Sequence, residues 1–245
     1  MKKKKEYRAL NSRYLLTIFV YILVQFSGMM FGYDLLLASG VPDEHVLAIW
    51  TVISFSVGLT IAILLLLPEI KERHQTIGRV SRLRAAGWTI YGIFLAFFAQ
   101  IIAAQIEMML GIEMGSENTE ALIEIAKVTP VFMVVTSVAG PIFEEIIFRQ
   151  IIFGSLYKQF NFLIAAISSS LIFAAVHLDF SHLIIYTAMG IVFSYLYVKT
   201  KRILVPIIAH VTINTFVVSI RILFAEHLEK LGQQLDQIQS IIGGF

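Results

Sequence analysis

The chain contains no cysteine. Disulfides, thiol nucleophiles and thiolate metal sites are therefore excluded, and cysteine usage says nothing about the redox character of the compartment. An HExxH pair is missing too, so no helix offers two imidazoles at that spacing to a metal. No internal repeat or low-complexity stretch breaks the 245 residues. Apolar residues, by contrast, make up 58% of them, with 19 phenylalanines; a soluble domain has about 45–50%. The excess lies in long blocks, as it does in proteins that cross membranes. The net charge of +2 says little; the placement of the charges says more.

Apolar runs long enough to cross a bilayer are Tyr14–Ala38, Val46–Leu67, Trp88–Leu110, Thr129–Tyr157, Phe162–Leu178, Leu183–Val198 and Ile203–Phe224. The pattern predicts an all-α, polytopic transmembrane helix bundle of about seven spans. Lys2-Lys3-Lys4-Lys5 before the first run has the charge order of a signal peptide. The run that follows is too long for a signal core and shows no small-x-small cleavage site before Gly28, so it reads as a retained span. Gly140-Pro141 falls inside the fourth run and is expected to kink or restart its helix.

Basic residues concentrate on the cytoplasmic side of membrane proteins. With alternating spans, the N-terminal segment, the Lys71–Arg84 connection, Lys158, and the Lys199, Lys201 and Arg202 turn all fall on one side. The other side receives Gly40–His45, the acidic Glu113–Glu124 segment and the Asp179–His182 turn. This alternation predicts a cytoplasmic N-terminus. Residues 225–245 form a tail whose Glu226–Gln239 stretch is too polar for an eighth crossing. Its leucine spacing suits a helix lying on the membrane surface, and a solvated tail is the alternative. Ala121–Val128 reads as a short interfacial helix. Residues 1–128 thus supply spans and connections without a motif, and 129–224 carry the chemistry. The Lys71–Arg84 segment lies between two spans, so anionic lipid rather than nucleic acid is its expected partner.

Ionisable groups inside spans are costly and are functional candidates by default. The fourth run holds Glu144, Glu145 and Arg149, the fifth His177, and the seventh His210 with Asn214. Glu145 and Arg149 share a helix face at i and i+4, where an ion pair neutralises both. Glu144 is rotated about 100° from its neighbour and points elsewhere. A carboxylate short of partners in an apolar setting is suited to take a proton from water. His210 and Asn214 repeat the i, i+4 spacing, as do Phe173 and His177, and Phe173 is expected to wall the same pocket. Glu144 precedes the turn at Phe160 by roughly sixteen residues and His177 follows it by roughly seventeen, so the two reach similar depth if the fourth helix continues past Arg149. Outside this set, Glu107 is expected to snorkel at the end of the third span. His182 is expected at the surface, and His45, His74 and His227 in solvent. Gln25, Gln100 and Gln105 read as helix-packing groups.

Three short patterns occur in order on successive apolar runs: Glu144-Glu145-Ile-Ile-Phe-Arg149 (EExxxR), Phe173-Ala-Ala-Val-His177 (FxxxH) and His210-Val-Thr-Ile-Asn214 (HxxxN). Together they resemble the CPBP or Abi family, the CAAX-processing type II prenyl endopeptidases and bacterial bacteriocin-processing or immunity proteins. The resemblance spans roughly Thr129 to Phe224. It implies an intramembrane endopeptidase of the bacterial cell membrane. Glu144 would activate the hydrolytic water with help from His177, Glu145 and Arg149 would support that helix, and His210 and Asn214 would stabilise the oxyanion. The substrate would be a peptide or a membrane-anchored protein. Zinc is the implied metal in metalloprotease descriptions of the family, with Glu144, His177 and His210 as candidate ligands; a metal-free, glutamate-activated water is the other reading. A non-catalytic scaffold or immunity factor that retains the motifs is the rival function. A proton relay or transporter predicts paired, similarly broken halves, which the chain does not show.

Overall fold

The computed structural model describes residues 11–72, 78–113, 115 and 117–224, and among them the chain is helical and without a strand. In order the helices are α1 (Ser12–Ala38), α2 (Asp43–Glu72), α3 (Arg82–Met109), α4 (Glu117–Val128), α5 (Val131–Leu156), α6 (Phe162–Ala175), α7 (Phe180–Thr200, opening with one tight turn) and α8 (Leu204–Leu223). Six of them, all except α4 and α6, are long and apolar enough to cross a membrane. The expected all-α polytopic bundle is therefore found. Helix starts follow the sequence: Asn11 accepts from the Arg13 amide, Ser81 from Arg84 and Asn161 from Ile164. His74 and His227, the N-terminal lysines and the tail lie outside the described residues.

The fifth apolar run departs from expectation. α6 has 14 residues, about 21 Å of helix, whereas the hydrocarbon core is about 30 Å thick. It ends at Ala175, and the chain then turns through Leu178 at φ +55°. Irregular backbone at membrane depth survives only where protein or a hydrated cavity surrounds it. Here the turn's amides bond back into α6, Val176 to Ile172, His177 to Ala174 and Leu178 to Ala175, and Glu107 of α3 meets the chain just beyond it at His182, Ile184 and Ile185.

α5 changes its winding where Gly140-Pro141 was expected to act, passing from π-turns to an α-segment that starts at Gly140 without a gap in the helix. The Gly140 amide donates to the Val135 carbonyl five residues back, and this wide π-turn relieves the clash that proline makes with the preceding turn. A second π-helical stretch runs over Glu145–Phe153. One of its carbonyls, that of Phe148, accepts from Ser169 Oγ of α6 at 2.8 Å. α5 is the most enclosed of the six long helices, 56% buried against 17–39% for the others. It is the central helix, with α1 and α2 on one flank and α3, α6, α7 and α8 on the other. Large apolar side chains such as Phe94, Phe98 and Leu163 face outward, as lipid contact requires.

Small residues set the helix separations. Gly32 of α1 lies against Trp50 of α2, and Gly190 of α7 against Ser170 of α6. A Cβ on Gly190 would stand 2.5 Å from Ser170 Oγ and 3.0 Å from its Cα, where no flexible end can yield. Gly190→Ala is expected to destabilise the protein by about 1–3 kcal/mol through overpacking. The check is the thermal unfolding midpoint in detergent, with Gly87→Ala as control, since a Cβ there meets nothing within 4 Å.

Candidate active site

A cavity of about 560 Å³ opens beside α5. Its wall includes Glu144 from α5, Phe173 and His177 from α6 and its end, and His210 and Asn214 from α8. The polar groups from three separate sequence runs therefore share one space.

Glu145 and Arg149 carry the charges buried deepest, at 0% and 1% exposure. Arg149 Nε lies 3.2 Å from Glu145 Oε2. The pair is held by charge more than by a linear hydrogen bond, since neither atom has a well-aligned partner among the described residues. The guanidinium lies instead over aromatic rings, 4.3 Å from the centroid of Phe173 and 5.2 Å from that of Phe193. Glu145 has a second duty. Its Oε1 stands 2.9 Å from His210 Nδ1. Arg149, Glu145 and His210 thus form one chain from α5 to α8. Glu144 is outside that chain, as its rotation on the helix predicts. Its Oε2 is 3.8 Å from His210 Nε2, the far side of the same ring.

This arrangement fixes what each imidazole can do. His210 shares the proton on Nδ1 with a carboxylate, so Nε2 is its working nitrogen, and it faces Glu144. The ring is stacked on Phe193 at 4.7 Å, which sets its plane. His177 donates Nδ1–H to the Phe173 carbonyl at 2.7 Å. Its Nε2 is then the unprotonated nitrogen of the neutral ring, open to a water or a substrate proton. The ring is stacked on Tyr186 of α7 at 4.2 Å. His177 sits in the turn beyond α6 rather than on the helix itself, yet the FxxxH spacing still brings it back to Phe173.

Among the described residues, no three His, Asp or Glu side chains are grouped closely enough to hold a metal ion. Glu144, His177 and His210 border one cavity without forming such a group.

Several residues depart from expectation. Glu107 does not snorkel: it is 2% exposed and accepts the Ile184 and Ile185 amides at 3.0 Å each. His182 is not on the surface but buried, 2.8 Å from Glu107. The physical reason is shared: α6 is short, and although Val176, Leu178 and Phe180 of the turn after it are exposed, the chain then folds His182 and the Ile184 and Ile185 amides against α3, where Glu107 meets them. His45 is not simply solvated; its Nδ1 lies 2.9 Å from Thr129 Oγ1, tying the start of α2 to the chain before α5. Gln25 donates to Tyr21 Oη at 2.7 Å, and both residues line the cavity. Tyr21 and Tyr186 were not singled out by the sequence, because a tyrosine in an apolar span carries no charge to mark it.

Residues 126–216 match the Rce1-like family of type II CAAX prenyl endopeptidases. Over 96% of its length the chain is 42% identical to YdiL of Bacillus subtilis, a protein named as a membrane peptidase, of which it covers 99%. The chain belongs to this CPBP family of CAAX-type membrane proteases. It is also 34% identical to the membrane-embedded CAAX protease MroQ of Staphylococcus aureus, over 93% of this chain and 96% of MroQ. No solved structure matches it. Membership, the six long apolar helices and these relatives make it an integral protein of a bacterial membrane. All seven residues of the three motifs fall inside the stretch matched to the Rce1-like proteases.

Proposed function

We propose that this CPBP-family protein is an endopeptidase that hydrolyses a peptide bond inside the membrane cavity, using a water activated by Glu144. The observation that carries the reading is the meeting of Glu144, His177, His210 and Asn214 around one cavity, with Glu144 Oε2 only 3.8 Å from His210 Nε2. The carboxylate of Glu144 takes a proton from water as its oxygen bonds to the substrate carbonyl carbon. His177 Nε2 accepts from the same water and orients it. The resulting oxyanion is held by the Asn214 amide and by His210 Nε2, which donates when the ring is doubly protonated between its two carboxylate neighbours. The C–N bond then breaks, and the proton on Glu144 passes to the leaving amine. Glu145 and Arg149 touch no reacting atom; they fix the His210 ring.

The substrate is a short peptide, a leader or precursor segment, or a membrane-anchored protein, threaded into the cavity in extended form. The test is incubation of detergent-purified protein with a pool of quenched-fluorescence precursor peptides, comparing wild type, Glu144→Gln, and wild type with chelator. Cleavage that is lost on substitution and retained in chelator supports the mechanism. Loss in chelator overturns its metal-free form. Asn214→Ala is expected to lower kcat by about 10²-fold with KM little changed, as for removal of one oxyanion donor; steady-state kinetics on the best peptide reads it.

A further inference from the structure

One buried cluster at the cavity wall belongs to none of the three motifs. Glu107 stands near the end of α3, and its carboxylate is spent entirely on other elements. Oε1 receives the amides of Ile184 and Ile185, capping the first turns of α7 from outside the helix. Oε2 faces His182 Nδ1 at 2.8 Å, and His182 Nε2 faces the Gly115 carbonyl at 2.7 Å. Both partners of the His182 ring are acceptors. One proton therefore lies between Nδ1 and Oε2, whichever atom holds it, and another is on Nε2. The cluster ties together α3, the connection after it, the turn after α6 and the start of α7.

The next residue of α7 after the two capped amides is Tyr186. Its ring is the one stacked on His177 at 4.2 Å, and its hydroxyl reaches Asp179 in the same turn at 3.5 Å. His177 is five residues before His182, in a segment with no helix of its own. Its ring is thus held on one side by its own helix, through Phe173, and on the other by a tyrosine whose helix begins on Glu107. An ionisable side chain buried at the end of a span is costly unless it has a purpose, and here the purpose lies two contacts from the cavity.

We propose that Glu107 and His182 are positioning residues for His177: they hold the start of α7 so that Tyr186 fixes the His177 ring with Nδ1 on the Phe173 carbonyl and Nε2 toward the cavity. The structural half of this inference stands without the hydrolase reading; its kinetic half rests on it.

The test uses full-length protein in detergent with ¹⁵N-labelled histidine, since the six histidines give six ring systems. In wild type the His177 ring should show the Nδ1–H tautomer. In Glu107→Ala it should move toward the Nε2–H form that a free imidazole prefers, while His210, anchored on Glu145, keeps its signals. His182→Gln should do the same and serves if Glu107→Ala does not fold. Glu107→Gln keeps an acceptor for the two amides and should retain the wild-type His177 signals. A folded Glu107→Ala or His182→Gln protein whose His177 spectrum matches wild type overturns the proposal. With a peptide that wild type cleaves, Glu107→Ala should lose about tenfold in kcat at near-constant KM, with Glu107→Gln largely restored. A rise in KM alone contradicts a positioning role. Absence of cleavage by wild type would count against the protease reading and leave the His177 tautomer shift to be read by itself.

Discussion

Glu144→Gln is expected to lower kcat by about 10²–10⁴-fold, the contribution of a positioned general base, while the folded protein and KM persist. Gln has nearly the volume of Glu and can still bond a water. It cannot take that water's proton. Nothing else at the cavity substitutes for it: Glu145 is fully buried and engaged by Arg149 and His210. His177 has one free nitrogen, but without Glu144 it acts on a water that no anion holds. The reciprocal change, Glu145→Gln, should reduce activity for a different reason. It removes the anion that holds His210 Nδ1, so the ring loses its fixed orientation and Nε2 its aim at the oxyanion. The two variants separate in stability. Glu144 is 14% exposed and stands 3.8 Å from His210, so its loss should move the unfolding midpoint little. Glu145→Gln strands Arg149 and should lower it. Cleavage of the best peptide, with melting curves for both proteins, checks this. Activity of Glu144→Gln within tenfold of wild type contradicts the mechanism.

Arg149→Met is expected to destabilise the protein by about 3–5 kcal/mol, the cost of leaving one member of a buried ion pair unpaired. The carboxylate of Glu145 would then sit in an enclosed helix with only His210 beside it. The ring contacts of the guanidinium with Phe173 and Phe193 would also be lost. Replacing both partners tells a different story. Glu145→Gln with Arg149→Met removes both charges and keeps much of the volume, so most of the lost stability should return. Activity should not return, because His210 still lacks the carboxylate that orients it. A double-mutant cycle on unfolding midpoints, with cleavage measured on the same four proteins, separates the two roles. If the double variant is both stable and active, the pair serves the fold alone.

Much of the architecture was legible because lipid enforces it. Long apolar runs admit few alternatives to helices, and the charges that interrupt them stand out. The spacing of Glu145 with Arg149, and of Phe173 with His177, carried real geometry: the first is an ion pair at 3.2 Å and the second a ring-to-backbone hydrogen bond at 2.7 Å. The link from Glu145 to His210 was not legible, because it joins residues 65 apart through the rotation of two helices. Nor was the shortness of α6. Phe162–Leu178 is apolar to its end, and only the fold shows that the helix stops at Ala175 and that the chain beyond it lays His182 against α3. That single misreading displaced Glu107 and His182 to the surface. A carboxylate in the last turn of an apolar helix, with a histidine in a later turn on the same side, was the available signal. Composition alone cannot tell a snorkelling pair from a buried one.

Hydrolysis here depends on water attacking the peptide directly, activated by Glu144. A single-turnover reaction in H₂¹⁸O, with enzyme in excess over one cleavable peptide, tests this most directly by mass spectrometry of the new C-terminus and of the Glu144-containing segment. One ¹⁸O in the new carboxylate and none in Glu144 is the expected result. A first-turnover product without label, with ¹⁸O recovered in Glu144, would make that glutamate a nucleophile and contradict it.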